Sequence, residues 1–333
     1  MKMDLQTPEH KVHPEPAGMN QSAAPYISVV VPVYNEEATL ERLFGRLYPA
    51  LKGIEKPFEI IFVDDGSVDR SMDILRNFLN RCPGEVVIIE FNGNFGQHMA
   101  IMSAFEKCRG EIIITIDADL QNPPEEIPKL VKTIEAGFDA VGGYRKKRQD
   151  SLFRKIPSWA VNKITSRITG IELKDYGCML RAYHRRIIDS INKCHETTTF
   201  IPALAHSFAR KPTEIEVGHE ERLTGESKYT LYKLIRLNFD LMTGFSVVPL
   251  QIFTFLGFVI AMLSVAFGIF LAIRRVIIGP EAEGLFTLFD ILFFLVGILM
   301  FGVGIMGEYV GRIYQEVRKR PRFVIRKIYG YDE

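Results

Sequence analysis

The chain has 333 residues, of which 47% are hydrophobic and 24% are charged, and its formal net charge is +1. These values exclude a disordered, a collagen-like or a small disulfide-stapled protein, and the length suits one ordinary domain plus a further region. The small net charge is a cancellation. Residues 26–143 carry 11 basic and 19 acidic side chains, residues 144–186 carry 12 and 3, and residues 312–333 carry 7 and 3. Surfaces of opposite charge are therefore expected.

The N-terminal part of the chain alternates between strand and helix patterns. Residues 1–25 are polar and proline-rich, which predicts a flexible tail without a signal sequence. Beyond this tail, β-branched runs at 27–33, 58–63, 85–91 and 111–116 are separated by helical patterns near 40–51, 72–79 and 97–107. Such alternation predicts a parallel α/β sheet, in which a ligand binds beyond the carboxyl ends of the strands.

Acidic residues follow two of the predicted strands. Asp64 and Asp65 follow one strand, and the sequence Asp117-Ala-Asp119-Leu-Gln121 follows another. Carboxylates two residues apart can both approach a hard cation such as Mg²⁺ or Mn²⁺, which also keeps waters or phosphate oxygens. The pattern therefore predicts a divalent-metal site made of Asp117, Asp119 and Gln121.

A basic segment follows the predicted strand at 140–143. Its helical pattern at 151–169 keeps one face apolar, flanks that face with Lys and Arg, and includes Trp159, the one tryptophan of the chain. A basic amphipathic helix with a tryptophan suits a membrane surface, at ~1 kcal/mol per basic residue near anionic lipid. We therefore expect an interfacial helix at 151–169, with a solvated charged face as the alternative.

Two apolar runs near the C-terminus, at about 250–273 and 285–306, are each long enough to span a bilayer as a helix. Buried core helices are the alternative. Lys and Arg are more frequent before the first apolar run and after the second than in the loop between them. This bias predicts that the large domain and both termini are cytoplasmic. The predicted regions are a tail at 1–25, a cytoplasmic domain at 26–228, a juxtamembrane helix at 229–248, two membrane helices within 249–311, and a basic cytoplasmic tail at 312–333. The four cysteines lack zinc-site spacing, which suits a reducing compartment.

Three motifs resemble those of the inverting, GT-A-fold glycosyltransferases of family 2. They are Val31-Pro-Val-Tyr-Asn-Glu36, Val63-Asp-Asp-Gly-Ser67 and Asp117-Ala-Asp-Leu-Gln-Asn-Pro-Pro-Glu125. With the two apolar runs, the chain is similar to the polyprenyl-phosphate glycosyltransferases over nearly all of residues 27–322. The resemblance implies an α/β, Rossmann-like GT-A domain with interfacial amphipathic helices and a C-terminal two-helix transmembrane region.

The same resemblance implies a reaction and its partners. The donor would be a UDP-sugar and the acceptor undecaprenyl phosphate, at the bacterial inner membrane, with Mg²⁺ or Mn²⁺ as cofactor. Motifs at 94–98, 175–181 and 194–196 point to 4-deoxy-4-formamido-L-arabinose as the sugar, for lipid A modification and polymyxin resistance. A glucosyl or other hexosyl transferase is the nearest alternative, and a membrane scaffold that binds nucleotide sugars is the non-enzymatic one. The resemblance further implies a homotetramer and no nucleic-acid partner.

The resemblance also assigns residues to roles. Donor contacts fall on Pro32, Tyr34, Glu36, Asp65, Asp117, Arg222, Ser227 and Lys228. Acceptor-phosphate contacts fall on Arg145, Arg148, Arg154 and Arg181. The catalytic set is Asp119, Arg145 and Asp175, where Asp175 aligns with a general base. A lipid phosphate is already an anion near neutral pH, so the alternative is that Asp175 orients Arg145 or Arg181.

Overall fold

The computed structural model describes residues 24–145, 175, 177–194, 200–220, 243, 247–279, 285–318 and 320–331. One eight-stranded sheet forms the centre of the domain. Its strands are β1 Ile27–Val33, β2 Phe58–Asp64, β3 Val86–Phe91, β4 Ile112–Thr115, β5 Ala140–Arg145, β6 Arg181–His184, β7 Pro212–Val217 and β8 Ile325–Tyr329.

The strands lie in the order β7-β5-β6-β4-β1-β2-β3-β8. The central strands β4, β1, β2 and β3 are parallel to one another, and β5 is parallel to β7. However, β6 runs antiparallel to both β4 and β5, and β8 runs antiparallel to β3. The predicted α/β class is therefore confirmed, while the all-parallel arrangement is wrong, since the sheet is mixed.

Helices cover both faces of this sheet. They are α1 Leu40–Lys52, α2 Ser71–Arg81, α3 Gln97–Lys107, α4 Ile127–Glu135, α5 Arg185–Asn192, α6 Ile201–Phe208, α7 Val248–Ile278 and α8 Leu285–Val317. The core has two layers, one under α1, α2 and α4 and the other under α3, α5 and α6. In β1, Val29 and Val31 face the first layer and Val30 faces the second, because successive strand residues point to opposite faces. Burial on both faces explains why the central strands read as continuous apolar runs.

The C-terminal segment is folded where the sequence predicts a basic tail. Helix α8 continues to Val317, and β8 then pairs with β3 at the edge of the sheet. The rings of Phe91 and Phe323 stack with centroids 5.4 Å apart, and Ile325 packs against the second core layer. Two apolar contacts and a strand pairing therefore tie the described part of the predicted tail to the domain.

The two C-terminal helices differ from the rest of the fold in exposing their apolar side chains. Phe255 in α7 is 69% exposed and Phe293 in α8 is 70% exposed. Among the residues that the structure describes, one helical stretch is long and apolar enough to cross a membrane. It is Ile291–Val317 of α8, and its mean hydropathy is 2.2. The apolar helical stretch Val248–Ile260 in α7 is shorter. Only 11% of the α8 stretch is buried, so the alternative of a buried core helix is wrong for α8.

Other predictions concern parts of the chain that the structure does not describe. The interfacial helix at 151–169 lies outside the described residues, as do residues 1–23 of the predicted tail and most of the segment 229–248. All four cysteines are free thiols in the structure.

Candidate active site

The loops that follow β1 and β2 interlock at the carboxyl edge of the sheet. The backbone N–H of Asn35 donates to Ser67 Oγ at 3.0 Å, and the backbone N–H of Val68 donates back to Asn35 Oδ1 at 2.9 Å. The N–H of Glu36 donates to Ser71 Oγ at 2.9 Å. Asn35 has φ 55°, a left-handed conformation that asparagine tolerates better than most residues. These contacts hold two of the predicted donor motifs together as one surface.

Asp65 ties a third loop to this surface. Its side chain is buried, and its two oxygens accept the backbone N–H groups of Phe95 at 2.7 Å and Gly96 at 2.8 Å. Burial raises the pKa of Asp65, and these two hydrogen bonds oppose that rise. Asp65 therefore positions the loop before α3, in addition to the donor contact that the resemblance implies for it.

The acidic motif after β4 presents its polar side chains on one side. Asp117, Asp119 and Gln121 are each partly exposed, whereas Ala118 and Leu120 between them are buried. Leu120 has φ 61°, and Asp119 Oδ1 accepts the backbone N–H of Gln121 at 3.1 Å. The turn therefore brings all three predicted metal ligands to an accessible surface.

These three side chains fit a cation that also takes oxygens from a bound phosphate. No group of three or more His, Cys, Asp or Glu side chains gathers into a metal cage within the described ranges. Two carboxylates and one amide oxygen are instead a partial set of hard donors, and Mg²⁺ and Mn²⁺ complete such sets with water or phosphate. The residues present therefore suit a cation shared with a diphosphate.

Arg145, at the end of β5, forms an ion pair with Asp175. The guanidinium Nε lies 2.6 Å from Asp175 Oδ2, and Nη2 lies 2.9 Å from Oδ1. The backbone N–H of Gly177 also donates to Oδ1, at 3.0 Å. Both charged side chains are largely buried, with 17% of Arg145 and 7% of Asp175 exposed. This arrangement agrees with the alternative that Asp175 orients Arg145.

Arg181, a predicted ligand of the acceptor phosphate, is buried and contacts the backbone. It is only 3% exposed. Its Nε donates to the carbonyl of Cys178 at 2.9 Å, and its Nη2 donates to the carbonyl of Asp175 at 2.8 Å. Backbone carbonyls thus accept hydrogen bonds from two of its three nitrogens, and Arg181 shapes the turn that presents Asp175.

The remaining predicted residues are distributed around the same edge. Pro32 is buried in β1, the Tyr34 side chain is 47% exposed, and Glu36 Oε2 accepts the hydroxyl of Thr39 at 2.8 Å. Glu36 therefore also supports the first turn of α1. The other predicted donor and acceptor contacts lie outside the described residues, and they are Arg148, Arg154, Arg222, Ser227 and Lys228.

Two contributors to this edge carry no predicted role. Gln97 donates from Nε2 to Asp117 Oδ1 at 2.5 Å, which links the start of α3 to the acidic motif. Arg46 of α1 contacts both Glu125 and Glu220. Gln97 lies within the motif at 94–98, which carries part of the family resemblance, so the sequence offered one indication that this residue is near the site. Arg46 lies on the polar face of a helix, and nothing in the local pattern distinguishes it.

Comparison with known proteins gives one family and a consistent set of relatives. Residues 28–191 match the family described as Glycosyl transferase family 2. Proteins named undecaprenyl-phosphate 4-deoxy-4-formamido-L-arabinose transferase are similar to the chain along almost all of both lengths. The protein from Yersinia enterocolitica is 48% identical over 92% of this chain and 94% of its own. The protein from Shewanella sediminis is 49% identical over 91% and 92%.

Solved structures also align with the chain, more distantly. Glucosyl-3-phosphoglycerate synthase from Mycobacterium tuberculosis, solved with Mn²⁺, UDP-glucose and phosphoglyceric acid, is 18% identical. The alignment covers 66% of this chain and 78% of that one, with a TM-score of 0.45.

Proposed function

The chain belongs to glycosyl transferase family 2, and we propose that it transfers 4-deoxy-4-formamido-L-arabinose from UDP to undecaprenyl phosphate. The observation that carries this proposal is identity of 48–49% with transferases of that name over more than nine-tenths of the chain. The product would serve lipid A modification and polymyxin resistance. The interlocked loops and the acidic motif at one edge of the sheet support a nucleotide-sugar site there.

The reaction is a single displacement at C1 of the sugar. An oxygen of the lipid phosphate forms a bond to C1 while the bond from C1 to the UDP oxygen breaks, so the configuration inverts and UDP leaves with the electron pair. A bound Mg²⁺ or Mn²⁺ supplies positive charge that stabilises the departing diphosphate. Asp117, Asp119 and Gln121 would hold it, since all three offer oxygen donors and each is partly exposed just after β4.

Arg145 has the chemistry to receive the acceptor phosphate. Two polyanions must approach each other at the edge of the sheet where β5 ends. A guanidinium has five N–H donors, of which Nε and Nη2 point at Asp175, so Arg145 can bridge that carboxylate and a phosphate. Asp175 acts as a positioning residue, because two short hydrogen bonds fix the orientation of the Arg145 guanidinium. The phosphate oxygen is already an anion, so this step needs no proton transfer to Asp175.

The donor nucleotide would lie on the surface formed by the loops after β1 and β2. Asp65 and Glu36 support these loops through hydrogen bonds, and the Tyr34 ring is exposed beside them. Arg222, Ser227 and Lys228 are proposed to contact the diphosphate by resemblance alone. The same holds for Arg148 and Arg154 at the acceptor phosphate.

The proposed location is the bacterial inner membrane, with two spans and with the catalytic domain and both termini in the cytoplasm. Exposed apolar helices α7 and α8 support the anchor, and the excess of Lys and Arg outside the connecting loop supports the orientation. A homotetramer is proposed from the resemblance. Cysteine labelling at engineered sites in residues 1–23 and 279–284 tests the topology, and mass measurement in detergent tests the assembly.

A substrate panel tests the function. Purified protein, undecaprenyl phosphate and Mn²⁺ or Mg²⁺ are combined with radiolabelled UDP-sugars, and label in extracted lipid is counted. We expect the UDP-linked formamido-pentose to react fastest and Asp119→Asn to transfer almost none. Faster transfer from UDP-glucose would favour the hexosyl alternative. Binding of UDP-sugar without any label in lipid would favour the scaffold.

A further inference from the structure

Arg46 bridges two acidic residues from distant parts of the chain. Its Nε and Nη2 contact Glu125 at 2.8 and 2.9 Å. Its Nη1 and Nη2 contact Glu220 at 2.9 and 2.7 Å. Glu125 lies in the short turn after the acidic motif, and Glu220 follows β7. One guanidinium on α1 thus joins three segments through four hydrogen bonds.

The segment that contains Glu220 also contacts the acidic motif directly. The backbone N–H of Glu220 donates to the carbonyl oxygen of Gln121 at 3.0 Å, and His219 Nδ1 lies 3.1 Å from the same oxygen. The N–H of Gly218 donates to Glu126 Oε1 at 3.1 Å. Residues 218–220 therefore lie along the motif from Gln121 to Glu126, and the position of one segment fixes the other.

The charges make this junction depend on Arg46. Hydrogen bonds from Arg46 hold the pKa values of Glu125 and Glu220 below their ordinary range. In turn, the two carboxylates raise the pKa of Arg46 above its ordinary value. Two neighbouring carboxylates repel each other once the bridging cation is removed. Single exposed ion pairs contribute little to stability. The Arg46 guanidinium, however, is only 23% exposed and pairs with two carboxylates, so it restricts the relative position of the segments that carry them.

We propose that Arg46 is a positioning residue for the divalent cation: by joining Glu125 and Glu220 it holds the turn that carries Gln121. This role rests on the proposed function, because it assumes that Asp117, Asp119 and Gln121 hold a cation. In this role Arg46 acts through Glu125 and Glu220 and not by contact with the cation or the substrates. Its loss should therefore change the affinity for metal more than the rate of transfer at saturating metal.

The test measures Mn²⁺ binding without turnover. Full-length protein in detergent, with UDP present, is titrated with Mn²⁺, and free Mn²⁺ is followed by electron paramagnetic resonance. We expect Arg46→Met to weaken binding about tenfold, which corresponds to about 1.4 kcal/mol. Arg46→Lys, which keeps the charge without the fork, should weaken binding less. Hydrogen exchange at the amides of residues 121, 122, 125 and 126 should be faster in Arg46→Met.

Two further variants keep the test interpretable if Arg46→Met folds poorly. Glu220→Gln leaves Arg46 in place and should weaken Mn²⁺ binding by several-fold. Lys52→Met is the matched control, since Lys52 is on the same helix and pairs with Glu85, and it should bind Mn²⁺ as the unaltered protein does. Unchanged Mn²⁺ affinity in both Arg46→Met and Glu220→Gln would overturn the role of Arg46 alone. Failure of the unaltered protein to bind Mn²⁺ would contradict the proposed metal site and this role with it.

Discussion

The Arg145 guanidinium meets the Asp175 carboxylate at two points, with Nε 2.6 Å from Oδ2 and Nη2 2.9 Å from Oδ1. Since Gly177 also donates to Oδ1, the carboxylate already accepts three hydrogen bonds. Such a carboxylate is well placed to fix the direction of a guanidinium. Under the proposed function the pair has two roles: Arg145 receives the acceptor phosphate, and Asp175 fixes the direction of its guanidinium.

This separation predicts unequal effects of two isosteric substitutions. Asp119→Asn should lower kcat by about 10²–10³-fold or more, as expected for loss of a charged group that stabilises the transition state. Asp175→Asn keeps the shape of the side chain and one or two of its contacts, so measurable transfer should remain, especially at raised pH. Radiolabel transfer between pH 6 and 9 gives both values. Equal loss in both variants at every pH would instead favour Asp175 as a general base.

A close backbone contact predicts a specific defect at Gly66. Gly66 has φ 74°, and a Cβ placed there would lie 2.7 Å from the carbonyl carbon of Gly93. Gly84 has φ 84° and has nothing within 4 Å of such a Cβ, which makes it the matched control. Gly84→Ala should cost about 1–2 kcal/mol, the ordinary cost of a left-handed residue. Gly66→Ala should cost more and raise the KM for UDP-sugar, because Asp65 and the loop at 93–96 must move apart.

The measurements are thermal unfolding in detergent and steady-state kinetics with varied donor. An unchanged KM in Gly66→Ala would mean that the loop contact does not shape the donor site.

Burial of His98 predicts a loss of stability in mild acid. Its Nδ1 is buried without a hydrogen-bond partner in the described part of the chain, and the ring lies edge-on to Phe200 at 5.6 Å. Burial lowers the pKa of His98 to about 4. The folded protein therefore binds this proton less readily than the unfolded chain. The stabilisation is complete above pH ~6.5 and is lost as pH falls toward 4, with about 3 kcal/mol as an upper limit.

His98→Phe retains an aromatic ring and removes the titrating group. As pH falls from 7 to 4, the unfolding midpoint of the unaltered protein should decrease more than that of His98→Phe. A difference that stays constant over that interval would mean that His98 takes up its proton in the folded protein as readily as in the unfolded chain.

The pairing of β8 with β3 predicts that side-chain contacts at this edge of the sheet stabilise the domain. Tyr329 donates its hydroxyl to Glu90 Oε2 at 2.7 Å, and Arg326 contacts the other oxygen at 3.0 Å. Glu90 is only 8% exposed. Tyr329→Phe should lower the free energy of unfolding by about 1.5–3 kcal/mol, the usual contribution of a hydrogen bond to a charged group. Val324→Ala, at a side chain that is 45% exposed, is the control and should have little effect. Equal stability of both variants would contradict this role of the strand.

Much of the fold and of the site could be read from local sequence. The strands at 27–33, 58–64 and 86–91 appear as continuous apolar runs because both faces of the sheet are covered. The acids at 64–65 and 117–119 lie at the end of a strand or just after it, and parallel strands bring their carboxyl ends to one edge. The resemblance to family 2 transferases is confirmed by the family match and by relatives similar over more than nine-tenths of the chain.

The sequence by itself thus determined the α/β class, the edge of the sheet where the candidate site residues lie, and the apolar C-terminal region, since each follows from patterns within a few residues. Only the tertiary structure decided that Arg181 is buried, that β8 completes the sheet and that Arg46 joins Glu125 to Glu220. These outcomes depend on partners far apart in the chain, such as Tyr329 and Glu90, which are 239 residues apart. A charged side chain has the same local pattern whether it faces solvent or a distant carboxylate, and only packing distinguishes the two.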